Sequence, residues 1–233
     1  MNMKQTLILG AVCGCALSGI AQAQTLTYHD NWINWPGYTS TLPDENGKPK
    51  IDHMTVQYDD TSYALEQVSI FLHDDAVRLT FDSLFISTDG DWDSWDYFVH
   101  DGGTDTSQTN NTNGTVPDDG LYSVTDPTDY TYVINDNRVG NPNGISADSL
   151  SLLDGSFGAT HTSGSDEIRY DFTSLGQQII LNPDSFFVAY TPWCDNDIMG
   201  GGSAPVPEPA TMLLFGTGLA GLAGLGRKRM KKS

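Results

Sequence analysis

Along the middle of the chain, apolar and polar residues alternate with a period of two over short stretches, the pattern of strands that bury one face. Val68, Ile70 and Leu72 alternate with Ser69, Phe71 and His73, and Val77, Leu79 and Phe81 alternate with Arg78, Thr80 and Asp82. Asp74-Asp75 separates the two runs, which predicts a hairpin with one wet face. Further strands are predicted at 54–58, 95–100, 121–124, 130–134, 168–172, 179–181 and 186–190. Turn clusters fall between them: Asp101-Gly102-Gly103, Asp118-Asp119-Gly120 and Asn141-Pro142-Asn143-Gly144. Short helical turns are expected only at 148–153 and 174–176. Many short strands without alternating βα units predict an all-β body, a single antiparallel β-sandwich or jelly roll. The polar run 104–115 reads as a surface loop, and 200–207 as a linker.

The two ends obey a different pattern. Residues 1–23 open with Lys4, continue through an apolar run from Leu7 to Ile20 and close on Ala21-Gln22-Ala23. That order of charge, grease and small residues is a cleavable secretory signal peptide, exported by the Sec machinery and removed by signal peptidase. At the far end, 210–226 is apolar and would give roughly 25 Å of helix, enough to cross the bilayer core. Arg227, Lys228, Arg229, Lys231 and Lys232 follow at once and would hold that end in the cytoplasm. Five glycines between Gly216 and Gly226 make the span intrinsically weak, which suits a transient anchor in the inner membrane.

Val206-Pro207-Glu208-Pro209-Ala210, an apolar run and a basic tail in that order resemble the PEP-CTERM sorting signal of Gram-negative bacteria. The resemblance covers about the last 28 residues. It implies processing near Pro207, Glu208 and Pro209 by an exosortase, a membrane-embedded transpeptidase. Release or transfer to the cell surface would follow, commonly in organisms that build an exopolysaccharide matrix. The two prolines fix an extended backbone without amide donors, so this stretch stays available to an enzyme. The expected organisation is a signal peptide over 1–23, an exported domain over 24–204 and a sorting signal over 205–233.

Composition sharpens the picture of the exported part. The chain carries a formal net charge of −19, but between the two signals Lys48, Lys50, Arg78, Arg138 and Arg169 face 29 acids, 26 of them Asp. Asp favours turns over helix interiors, which agrees with strands joined by loops. A field this negative disfavours nucleic acid and anionic lipid as partners and favours divalent cations. Cys13 and Cys15 leave with the signal peptide, so Cys194 has no intramolecular disulfide partner and the fold must rest on its core. Acidic neighbours Asp195 and Asp197 argue against Cys194 as a nucleophile.

Candidate chemistry is sparse. In 89–96, "DGDWDSWD", an extended backbone puts Asp89, Asp91 and Asp93 on one side, and with Asp96 they form a candidate Ca²⁺ loop. The EF-hand template fails there, since Ser94 and His100 stand where it needs Gly and Glu; a solvated acidic turn is the plainer use. The pairs Trp32/Trp35 and Trp92/Trp95 share one spacing. Indole faces stack on sugar rings, so Trp92, Trp32 and Trp35 are candidate glycan contacts, against the alternative of plugging the core. Trp92, between two acids, is the one expected to be most exposed. "WDSWDYFV" and "PWCDNDIMGG" resemble an ectodomain type of exosortase-dependent surface proteins with no assigned function. No G-x-S-x-G, H-E-x-x-H or P-loop occurs, and His29, His53, His73, His100 and His161 are scattered. The sequence therefore points to a non-enzymatic surface or matrix protein binding Ca²⁺ or exopolysaccharide. The alternative is a secreted carbohydrate-active hydrolase built on paired Asp/Glu carboxylates.

Overall fold

The computed structural model describes residues 22–30, 50–73, 82–90, 92, 94–102, 112–133, 142–161, 166–192 and 197–203. Residues 1–21 of the expected signal peptide, the apolar span at 210–226 and the basic tail lie outside the described residues. Among the described residues the chain is all-β and every paired strand is antiparallel. The strands are β1 (Ala23–His29), β2 (Lys50–Asp59), β3 (Leu65–His73), β4 (Asp82–Ser87), β5 (Tyr97–Asp101), β6 (Thr112–Asn113) and β7 (Gly120–Val124). They continue as β8 (Tyr130–Val133), β9 (Pro142–Ile145), β10 (Leu150–Asp154), β11 (Thr160–His161), β12 (Glu167–Asp171), β13 (Phe187–Pro192) and β14 (Met199–Gly202).

These strands form a five-stranded sheet in the order β1-β2-β3-β12-β11, a six-stranded sheet β10-β7-β5-β4-β13-β14 and a three-stranded sheet β6-β8-β9. The alternation read from the sequence decides what each face buries. From the five-stranded sheet, Met54, Val56, Val68, Ile70, Ile168 and Tyr170 enter one apolar cluster with Leu84, Ile86, Val99, Leu121, Val188 and Tyr190 of the six-stranded sheet. Each large side chain so enclosed contributes roughly 1.5–3 kcal/mol relative to exposure. The other face of the six-stranded sheet supplies Phe85, Phe98, Tyr122 and Ala189 to a second cluster, which Tyr130 and Ile145 join from the three-stranded sheet. Ser83 Oγ donates to the Asn143 carbonyl oxygen at 2.6 Å within that interface, so the two sheets are tied by a buried hydrogen bond as well as by apolar area.

Several expectations differ from the structure. Where a hairpin across Asp74-Asp75 was expected, β3 has β2 on one edge and β12 on the other along Gln67–Phe71, and residues 74–81 lie outside the described residues. Residues 142–145, expected as a turn, are β9; Pro142 is tolerated because β9 is an edge strand and the register shifts beside its partner Tyr132. The helical turn at 148–153 shrinks to a single 3-10 turn, Ala147–Ser149, after which β10 begins. Finally, 199–202 is not linker but β14, hydrogen-bonded to β13 and buried through Gly201. The short strand at 179–181 is reduced to one bridge, Ala64 with Ile180.

Candidate functional site

The acidic and aromatic loop after β4 is closed by its own polar groups. Asp96 Oδ2 accepts from the Thr88 amide at 2.7 Å and from the Thr88 hydroxyl at 2.6 Å. Ser87 and Ser94 hydroxyls meet at 3.0 Å, and the Gly90 amide donates to Ser87 Oγ at 3.0 Å. Asp96 also receives its neighbour strand, since the Val124 amide donates to the Asp96 carbonyl at 2.9 Å. One carboxylate oxygen of Asp96 is therefore committed to shaping the loop, while Asp89 stands exposed at its start. Asp91 and Asp93 lie outside the described residues, and among the described residues no group of three or more His, Cys, Asp or Glu side chains is gathered closely enough to hold an ion.

Trp92 and Trp95 share this loop and part company in burial. Trp95 is buried in the second cluster, 5.3 Å from the Phe85 ring. Trp92 is half-buried, edge-on to Trp95 at 5.7 Å and 4.8 Å from the Phe187 ring, and it lies on the backbone of β14 at Gly200. An indole held on three sides and open on the rest is a rigid platform for a flat apolar face such as a sugar ring. Trp32, Trp35, Cys194, Pro207, Glu208 and Pro209 lie outside the described residues.

The aspartates that dominate the composition have a structural use that recurs along the chain. Oδ1 of Asp126, Asp154 and Asp171 each accepts from both the amide and the hydroxyl of the Ser or Thr two positions on, at 2.6–3.0 Å. Asp59 Oδ1 does the same for Ser62, three positions on, and takes the Thr61 amide as well. These bonds favour the ionised form and hold all four carboxyls below their ordinary range. The signal was in the sequence as Asp-x-Ser/Thr at the ends of strands.

A cleft of about 160 Å³ opens beside β10, lined by Tyr97, Leu121, Leu153, Asp154, Leu175 and Ile179 among others. Asp154 is the acid in that lining, and its Oδ1 is the one occupied by Ser156. A second grouping escaped the sequence reading altogether: His29, Asp52, His53 and His73, up to 44 residues apart, meet at one corner of the five-stranded sheet.

The described body ends at Ser203, one residue past β14. Immediately beyond it, residues 205–229 match the family model of the PEP-CTERM protein-sorting motif. The chain carries a PEP-CTERM sorting motif. The motif implies export, a membrane-anchored precursor and processing by an exosortase. No helix among the described residues is long and apolar enough to cross a membrane. For the chain as a whole, neither a curated protein nor a solved structure matches.

Proposed function

We propose that this chain is a non-enzymatic protein of the cell surface or extracellular matrix of a Gram-negative bacterium. Its body is a β-sandwich, and it reaches its destination by the exosortase route. In this reading 1–23 is a signal peptide, 210–226 is a transient inner-membrane span, and the exosortase acts at Pro207-Glu208-Pro209. The observation that carries it is the sorting motif at 205–229, set directly after a folded all-β body. The shared apolar cluster between the five- and six-stranded sheets supports the sandwich.

The body's partner is exopolysaccharide, contacted through the half-buried indole of Trp92, with Ca²⁺ at the Asp89–Asp96 loop. Trp92 supports this because its ring is fixed by Trp95, Phe187 and β14 and still reaches solvent. Among the described residues, the cleft beside β10 is lined by one carboxylate, Asp154, where the hydrolase alternative calls for two. The route is tested by expressing the chain with and without an exosortase. Glu208→Ala is expected to leave the precursor at its full mass in the membrane fraction, whereas the wild type is shortened and leaves it. Full-length wild type accumulating in the medium would end the proposal.

A further inference from the structure

The outer face of the five-stranded sheet carries a corner built by one irregularity. In β2, Ile51 pairs with Leu72 and His53 pairs with Phe71, so Asp52 is an extra, bulged residue. Ile51 and Met54 both point into the core, and the bulge leaves Asp52 and His53 side by side on the outside. On the adjacent strand His29 sits directly opposite His53. The two imidazole centroids are 6.1 Å apart.

Asp52 controls the orientation of this corner. Its Oδ2 lies 2.7 Å from His53 Nδ1 and its Oδ1 lies 3.1 Å from His73 Nε2. A carboxylate oxygen accepts, so His53 donates from Nδ1 to Asp52, and Nε2 is the ring nitrogen left over for a ligand. The His53 ring is also stacked on Phe71, 4.3 Å away and 8° from parallel, which fixes its plane. Among the described residues, Lys50, opposite His73, Asp30, whose amide donates to the Asp52 carbonyl, and Glu167, opposite Phe71, are further charged groups around the corner.

We propose that His29 and His53 form an open, two-imidazole site for a divalent transition-metal ion such as Zn²⁺, Ni²⁺ or Cu²⁺. A metal–nitrogen bond of about 2.0–2.1 Å places each ring centroid about 3 Å from the ion, so two imidazoles on one ion stand up to about 6 Å apart. The observed centroid spacing of 6.1 Å matches that reach. Asp52 holds His53 by the ring nitrogen that does not bind metal, the arrangement by which a carboxylate fixes the tautomer and raises the basicity of a ligating histidine. Imidazole selects borderline transition metals over Ca²⁺, which takes oxygen ligands. With two protein donors the remaining positions stay open to water or to a donor from another molecule.

The test is calorimetric titration of the purified, tag-free full chain with ZnCl₂ at neutral pH, paired with electron paramagnetic resonance of the Cu²⁺-loaded protein. The wild type is expected to take up one ion at this corner, with two imidazole nitrogens in the copper spectrum. His29→Ala, on the exposed end of β1, is expected to remove one of those nitrogens and weaken Zn²⁺ binding at least tenfold; His53→Ala does the same. Asp52→Asn is expected to weaken binding by about tenfold or more while both nitrogens remain, a combination that separates positioning of His53 from loss of fold. Asp148→Asn, at an exposed position of the 3-10 turn, leaves the titration unchanged. Absence of Zn²⁺ uptake by the wild type, or wild-type affinity in both His29→Ala and His53→Ala, overturns the proposal.

Discussion

The Trp95 indole Nε1 donates to the Tyr130 hydroxyl at 2.8 Å inside the second apolar cluster, joining the loop before β5 to the first residue of β8. This bond fastens the three-stranded sheet to the six-stranded one at the point where the acidic loop turns inward. Trp95→Phe keeps an aromatic ring in the cluster but removes the donor and part of the volume. It is expected to lower stability by about 1–3 kcal/mol. For a chain of this size each kcal/mol moves the thermal midpoint by about 2–4 °C, so a melting curve reads the effect.

Asp96→Ala separates loop closure from ion binding. If Asp96 serves Thr88, removing it destabilises the body by about 1–2 kcal/mol whether or not calcium is present. If it also serves an ion, wild type but not the variant gains melting temperature with added Ca²⁺ and loses it with chelator. Thermal denaturation with and without the ion distinguishes the two.

Gly201→Ala tests the last strand. A Cβ at Gly201 would collide with the Tyr28 ring, and one at Gly200 would fall 2.6 Å from Trp92 Cζ2. Overpacking of this kind costs about 1–3 kcal/mol. Gly176→Ala, with open space around it, is the matched control and is expected to leave the midpoint where it is.

Acid should weaken the body in two separate windows. His100 is buried on β5, and burial pushes its imidazole down from 6.5 to about 4, against a smaller opposing pull from Asp101. Between those values the unfolded chain binds a proton that the folded chain refuses, so stability present above pH 6.5 is lost as pH falls towards 4. The full effect is on the order of 3 kcal/mol. Chemical denaturation at a series of pH values should show this slope in the wild type and a flatter one in His100→Phe. The aspartates held down by their Ser and Thr neighbours act lower: their stabilisation is complete above the ordinary carboxyl range near pH 4 and fades below it.

Where the chain announces faces, the sequence was readable. Alternation at Val68–Leu72, Ile168–Phe172 and Phe186–Tyr190 marked β3, β12 and β13, because burial of one face demands it. Periodicity names the buried side and not the neighbour, so β3 was paired with the next run when its second partner, β12, comes about a hundred residues later. β9 and β14 were missed because Pro142 and the glycines at 200–202 look like loop residues. Yet β9 needs no inner-strand donor at Pro142, and β14 needs the absence of side chains to lie against Trp92, Tyr28 and Phe186. The loop at 88–96 was visible as acid and tryptophan, although its hydrogen bonds to Thr88 were not. The histidine corner had no local signal at all, since it depends on strand register and on a single bulged aspartate.

Because Gly202 is still fastened to Phe187, an exosortase acting at Pro207-Glu208-Pro209, as proposed, would work on a short leash. Four residues separate Gly202 from Pro207, and the five Cα-to-Cα steps reach at most about 18 Å even when fully stretched. That is less than the roughly 30 Å thickness of the bilayer's hydrocarbon core. Until it is cut loose, the folded body must ride close against the membrane, and its β14 edge becomes a wall that the processing enzyme has to accommodate.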